Sequence, residues 1–98
     1  MNTDEIKFLW NRWTKEADPF YIPNPIRVGI GVGKVMKACG GDDLLRKQVC
    51  KFLTGKTSTK KFTTVEMSAW IIFAASPNMS EAVRVILDDI QPQLLESQ

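Results

Sequence analysis

Between Val65 and Ala75 the chain reads VEMSAWIIFAA, and wound as a helix this segment is apolar on nearly all sides. A helix without a polar face has to be surrounded by other elements. The chain has 98 residues, enough for one small domain with a modest core. VEMSAWIIFAA is therefore read as the buried central helix, and the remaining elements are the ones that cover it. Thr63 with Glu66 three residues later forms a capping box at its start, and Ser76-Pro77-Asn78 turns the chain after it. The spacing predicts a helix over about 63–75, with Trp70 at the centre of the core.

The covering elements follow from periodicity and breakers. Asn2 with Glu5 is a second capping-box pattern, and Ile6, Leu9, Trp10 and Trp13 repeat at helical spacing, which predicts a first helix over about 3–16. Asp18-Pro19 ends it. The segment PFYIPNP, residues 19–25, holds three prolines and is not helical. It reads as an ordered strap packed through Phe20, Tyr21 and Ile22. A second helix is expected to begin between Arg27 and Val32 and to run to Cys39, where Gly40-Gly41 stops it. Asp42 caps a third, to about Leu53, with Leu45, Val49, Phe52 and Leu53 on its apolar face and Arg46, Lys47 and Lys51 on its outer one. Asn78 with Glu81 caps a last helix that turns Ala82, Val83, Ile86, Leu87 and Ile90 inward and ends at Pro92.

The expected fold is thus mainly α: a compact bundle of about five helices, at most a short strand or hairpin, in one domain over 1–98 with 91–98 as a frayed tail. Cys39 and Cys50 lie in apolar-periodic segments and read as reduced structural thiols. No apolar run is long enough to cross a membrane, and MNTDEIKFLW lacks the layout of a signal peptide, so a cytoplasmic protein is expected. The chain has no histidine, which removes the commonest general base and the commonest metal ligand. A non-enzymatic protein without metal or cofactor is the reading.

The formal net charge of +2 conceals an uneven distribution. Residues 27–61 carry Arg27, Lys34, Lys37, Arg46, Lys47, Lys51, Lys56, Lys60 and Lys61 against only Asp42 and Asp43, a net +7, while 1–26 sum to −1 and 62–98 to −4. A basic stripe of this kind is the footprint of a polyanion partner, because each neutralised phosphate releases counterions. All nine cations are candidate nucleic-acid contacts. Lys56, Lys60 and Lys61 sit in the polar run TGKTSTKK and are expected to act as a mobile auxiliary clamp.

The run NPIRVGIGVGK, residues 24–34, admits three readings. A nucleotide-binding loop would need Gly-Lys-Ser/Thr, and Gly33-Lys34 is followed by Val35. A helix-hairpin-helix DNA-binding element would use Val28-Gly29-Ile30-Gly31 as its hairpin, but the proline-rich strap stands where its first helix belongs.

The third reading is a resemblance. A first helix ending near Trp13, an irregular segment, and then Pro25-Ile26-Arg27-Val28-Gly29-Ile30 leading into a helix resemble the ProQ/FinO family of RNA-binding proteins. Leu45-Arg46 and Phe52-Leu53-Thr54-Gly55 are similar to that family's following helix and its end, so the resemblance covers about residues 5–55. It implies binding of structured RNA, with Gly29 letting the second helix start close to the first and Arg27 pointing outward. The chain departs from the family where a β-hairpin with an Asp-Leu-Asp-Gly turn is usual, and it offers Phe52 where the family's RNA-terminus pocket typically has tyrosine. The main alternative is a small plasmid- or phage-type inhibitor or interaction module. Its protein partner would meet exposed strap aromatics or the acidic last helix.

Overall fold

The computed structural model describes residues 1–96, with side chains through Ile90. Five α-helices follow in order: α1 (Thr3–Glu16), α2 (Pro25–Ala38), α3 (Asp43–Thr54), α4 (Thr64–Ala75) and α5 (Met79–Glu96). A single 3-10 turn, Thr59–Lys61, precedes α4, and no strand occurs among the described residues. The helix starts are chemically explicit. Asn2 Oδ1 accepts from Glu5 N at 2.9 Å, Asp42 Oδ1 from Leu44 N at 2.9 Å, and Thr63 and Glu66 complete a reciprocal capping box.

α4 lies at the centre. Trp70 and Ala69 are wholly buried and Phe73 nearly so. The Trp70 ring stacks on Phe73 at 5.9 Å and takes Phe62 edge-on at 5.7 Å, and Trp10 from α1 meets Phe73 edge-on at 6.4 Å. α1 brings Ile6 and Trp10 to one side of α4, and α2 brings Val28 and Val35 to the other. α5 closes the core with Ala82, Val83 and Ile86, and α3 packs Val49, Cys50 and Leu53 against α5 and α2. The Trp70 indole N–H, buried with its ring, donates to the Val28 carbonyl at 3.3 Å, so this polar atom is satisfied.

Several expectations need correction. α2 begins at Pro25, up to two turns earlier than read from its glycines. Asn24 Oδ1 accepts from Ile26 N at 2.9 Å and proline fills the first turn, a start that outweighs the low helix propensity of Gly29, Gly31 and Gly33. Residues 28–31 are accordingly helical, and neither a hairpin nor a phosphate loop forms there. The close-packed glycine is Gly31, against α4, and not Gly29 against α1. A Cβ on Gly31 would lie 2.8 Å from Trp70 Nε1, whereas one on Gly29 would meet nothing within 4 Å.

The strap is ordered but not packed through its apolar side chains. Asp18 Oδ1 accepts from Phe20 N and the Asp18 carbonyl from Tyr21 N, at 2.9 and 3.2 Å, which folds a tight turn. That turn leaves Phe20 91% exposed, with Tyr21 and Ile22 also open to solvent. The anchors are Pro23, fully buried, and the Thr64 hydroxyl, which donates to the Pro19 carbonyl at 3.0 Å.

α4 is likewise not enclosed all round, since Ile72 and Ala75 reach the surface. α5 does not stop at Pro92: its backbone stays helical to Glu96. Proline there removes one donor to the carbonyl of Asp88, an exposed residue that water can reach. Of the tail expected to fray, 91–96 are helical in backbone, and 97–98 lie outside the described residues.

Candidate nucleic-acid interface

The nine cations divide by what they touch. Arg46 and Lys56 are used internally. Arg46 points back along α3, where Nη2 meets Asp43 Oδ1 at 2.7 Å and Nη1 donates to the Thr57 carbonyl at 3.3 Å, leaving the side chain 11% exposed. Lys56 Nζ lies 2.6 Å from Glu66 Oε1 and is half-buried. A phosphate reaching either cation would compete with the carboxylate it already holds, Asp43 at the surface and Glu66 at the start of α4.

Their effect is to fix the segment between α3 and α4. Arg46 holds the Thr57 carbonyl, Lys56 ties the segment to the capping carboxylate of α4, and the Thr54 hydroxyl accepts from Lys56 N at 3.0 Å. Gly55, at φ 79°, ends α3 in the left-handed conformation that lets the chain reverse. Ser58 Oγ starts the 3-10 turn, and Phe62, buried against Trp70, closes it. The expected mobile clamp is therefore a tethered turn, and Lys60 and Lys61 stand exposed upon it.

The electrostatics of the tethers are consistent with their geometry. Burial works to raise the Glu66 carboxyl, but the Lys56 ammonium and the Thr63 cap outweigh it and hold the group below its ordinary value. Arg46 and then Lys47, at 3.4 Å, lower the Asp43 carboxyl in the same way. Burial pushes the thiols of Cys39 and Cys50 up, so neither is an activated nucleophile, and they are not joined by a disulfide.

Six cations remain exposed and without an ion pair among the described residues: Arg27, Lys34, Lys37, Lys51, Lys60 and Lys61. Lys47 is exposed too, paired with Asp43 only at the surface. Lys51 follows Lys47 one turn later on the outer face of α3. Arg27 and Lys34 are two turns apart on α2 and border a groove between α2 and α4. Phe52 is half-buried, with Lys7 Nζ 5.0 Å from its ring centroid, so one face of this ring is already covered by a cation.

The chain matches no protein-family model, no curated protein and no solved structure. Assignment of a role rests on its own side chains. No helix among the described residues is long and apolar enough to cross a membrane.

Sequence reasoning did not find the groove. Its signal was present: Ile30 falls between Arg27 and Lys34 on the side of α2 away from Val28 and Val35, and residues 19–41 contain no Asp or Glu.

Proposed function

We propose that the chain binds structured RNA and catalyses no reaction on it, in the manner of the ProQ/FinO-like proteins it resembles. The observation that carries this reading is the tethered turn. The backbone that carries Lys60 and Lys61 is held in place, and neither side chain has an ion pair among the described residues, while Arg46 and Lys56 absorb the nearby carboxylates. Lys47 and Lys51 add a second pair of cations on α3, and Arg27, Lys34 and Lys37 extend the positive surface along α2. A-form RNA is read largely by shape and backbone, which suits ammonium groups at fixed spacing. A backbone already ordered also loses less conformational freedom on binding than a mobile one.

The test is affinity for a hairpin RNA as a function of salt. If several of these lysines meet phosphates, log Kd should rise against log salt concentration with a slope of roughly 3 to 6. Lys51→Glu with Lys61→Glu should weaken binding at least about tenfold, or about 1.4 kcal/mol, with the helical circular dichroism unchanged. Absence of binding to any RNA at low salt overturns the reading.

A further inference from the structure

The groove between α2 and α4 combines two features that a phosphate-binding surface does not need together. Its floor is apolar and its rim is cationic. Gly31 and Ala74, both buried, form the bottom, and Ile30 and Ile71 form the walls. The trough exists because Gly31 has no side chain. That lets α2 approach Trp70 closely and leaves only small residues between the two helices on the outer side. Ile30 remains 54% exposed and Ala75 opens to solvent at the edge. Arg27 and Lys34 border this trough two turns apart, about 10 Å along the helix axis.

Neither rim cation has a carboxylate to answer it among the described residues. Residues 19–41 hold no acid, and the one acid of α4, Glu66, is engaged with Lys56. The complement to such a surface is apolar in the middle and anionic at both ends. On a helix, two carboxylates seven residues apart lie on one face, with the residues three and four along between them. We propose that this groove docks an acidic amphipathic helix of a protein partner, with Glu or Asp at positions i and i+7 meeting Arg27 and Lys34 and an apolar side chain between them entering the trough. A flat bilayer would reach the rim but not the floor. An RNA backbone would use the cations and leave Ile30 and Ile71 facing sugar and phosphate. A second copy of this chain fits poorly through its described side chains: the exposed acid pair at that spacing among them, Glu81 and Asp88, has Arg84 between, which would carry a positive charge into the space between Arg27 and Lys34.

This site is separate from the α3 and 3-10-turn lysines on which the RNA reading chiefly rests, so the two can fail independently. The probe is a short capped helical peptide with Glu at i and i+7 and Leu at i+3 and i+4, titrated into the isotope-labelled full chain and followed by amide and methyl NMR. Saturable shifts centred on Arg27, Ile30, Lys34, Ile71 and Ala75 are expected. Binding should weaken at least about tenfold in Arg27→Glu/Lys34→Glu. It should weaken similarly in Ala75→Glu, which places a competing carboxylate at the exposed edge without touching the core. Lys51→Glu/Lys61→Glu should leave peptide binding unchanged while reducing RNA binding. The proposal is overturned by any of three results: no shifts with the peptide; equal binding of a peptide with Lys at i and i+7; or shifts of the same residues by phosphatidylglycerol vesicles or hairpin RNA but not by the peptide.

Discussion

Replacing Gly31 and Gly29 separately by alanine isolates one packing contact from everything else about a glycine. Both sit inside α2, so each substitution gains about the same helix propensity, close to 0.8–1.0 kcal/mol. They differ in what the new methyl meets. At Gly29 there is nothing within 4 Å. At Gly31 the methyl would lie 2.8 Å from Trp70 Nε1 and 3.2 Å from the Ala74 methyl. Trp70 cannot swing aside cheaply, because its ring is wedged between Phe62 and Phe73 and its N–H is held by the Val28 carbonyl. Overpacking of this kind costs about 1–3 kcal/mol. Gly29→Ala should therefore stabilise the protein by about 0.5–1 kcal/mol, and Gly31→Ala should lower stability by up to about 2 kcal/mol once the propensity gain is subtracted. The difference, about 1–3 kcal/mol, corresponds to Tm values separated by at least about 5 °C in a chain of this size. Urea unfolding monitored by tryptophan fluorescence measures it directly. The indole N–H resonance of Trp70 should also move in Gly31→Ala and not in Gly29→Ala. Equal stability of the two variants would refute the close approach of α2 to α4, and with it the origin of the groove.

Trp70→Ala should cost about 3–5 kcal/mol, the range for truncating a large core aromatic, and chemical denaturation would show it as a lower midpoint or outright loss of cooperative folding. Phe20→Ser should leave the midpoint within about 0.5 kcal/mol of wild type, since a side chain 91% exposed contributes no core packing. Glu66 has a folded-state pKa below its ordinary 4.5, so its contribution is fully present above that value and is lost as pH falls through the folded pKa. Glu66→Gln keeps an acceptor for the helix cap but removes the charge. Its stability should lie below wild type at neutral pH, with the gap closing as the pH of the unfolding experiment is lowered through the acid range.

Caps, breakers and periodicity are local chemistry, and they made the helices legible. Asn2, Asp42 and Thr63 stand where the sequence placed them, and Trp70 is central because it is the largest side chain of the most apolar helix. Features that depend on distant partners were not legible. Whether Gly29 or Gly31 is the packed glycine depends on Trp70, some forty residues later. That Arg46 is turned inward depends on the Thr57 carbonyl, and that Lys56 is paired depends on Glu66. In sequence all of these residues belong to one undifferentiated basic stretch. The start of α2 is written in Asn24-Pro25, but the three glycines that follow have low helix propensity and mask it. The strap's apolar residues were assigned to packing by composition, while the Asp18 turn sets their direction.

The helix at the centre is also among the last to be made. α4 packs on α1 and α2, both synthesised well before it, so a nascent chain leaving the ribosome carries Ile6, Trp10, Val28 and Val35 uncovered until Trp70 and Phe73 emerge. Folding must wait for contacts of large sequence separation. It follows that the basic segment 27–61 is not an excisable module. Cut away from α4, it loses the surface against which α2 is set, the Phe62 ring that closes its turn, and the Glu66 carboxylate that tethers Lys56. A peptide of those residues would keep the charge and lose the spacing, becoming a generic polycation whose affinity for one RNA over another would reveal nothing about the intact chain.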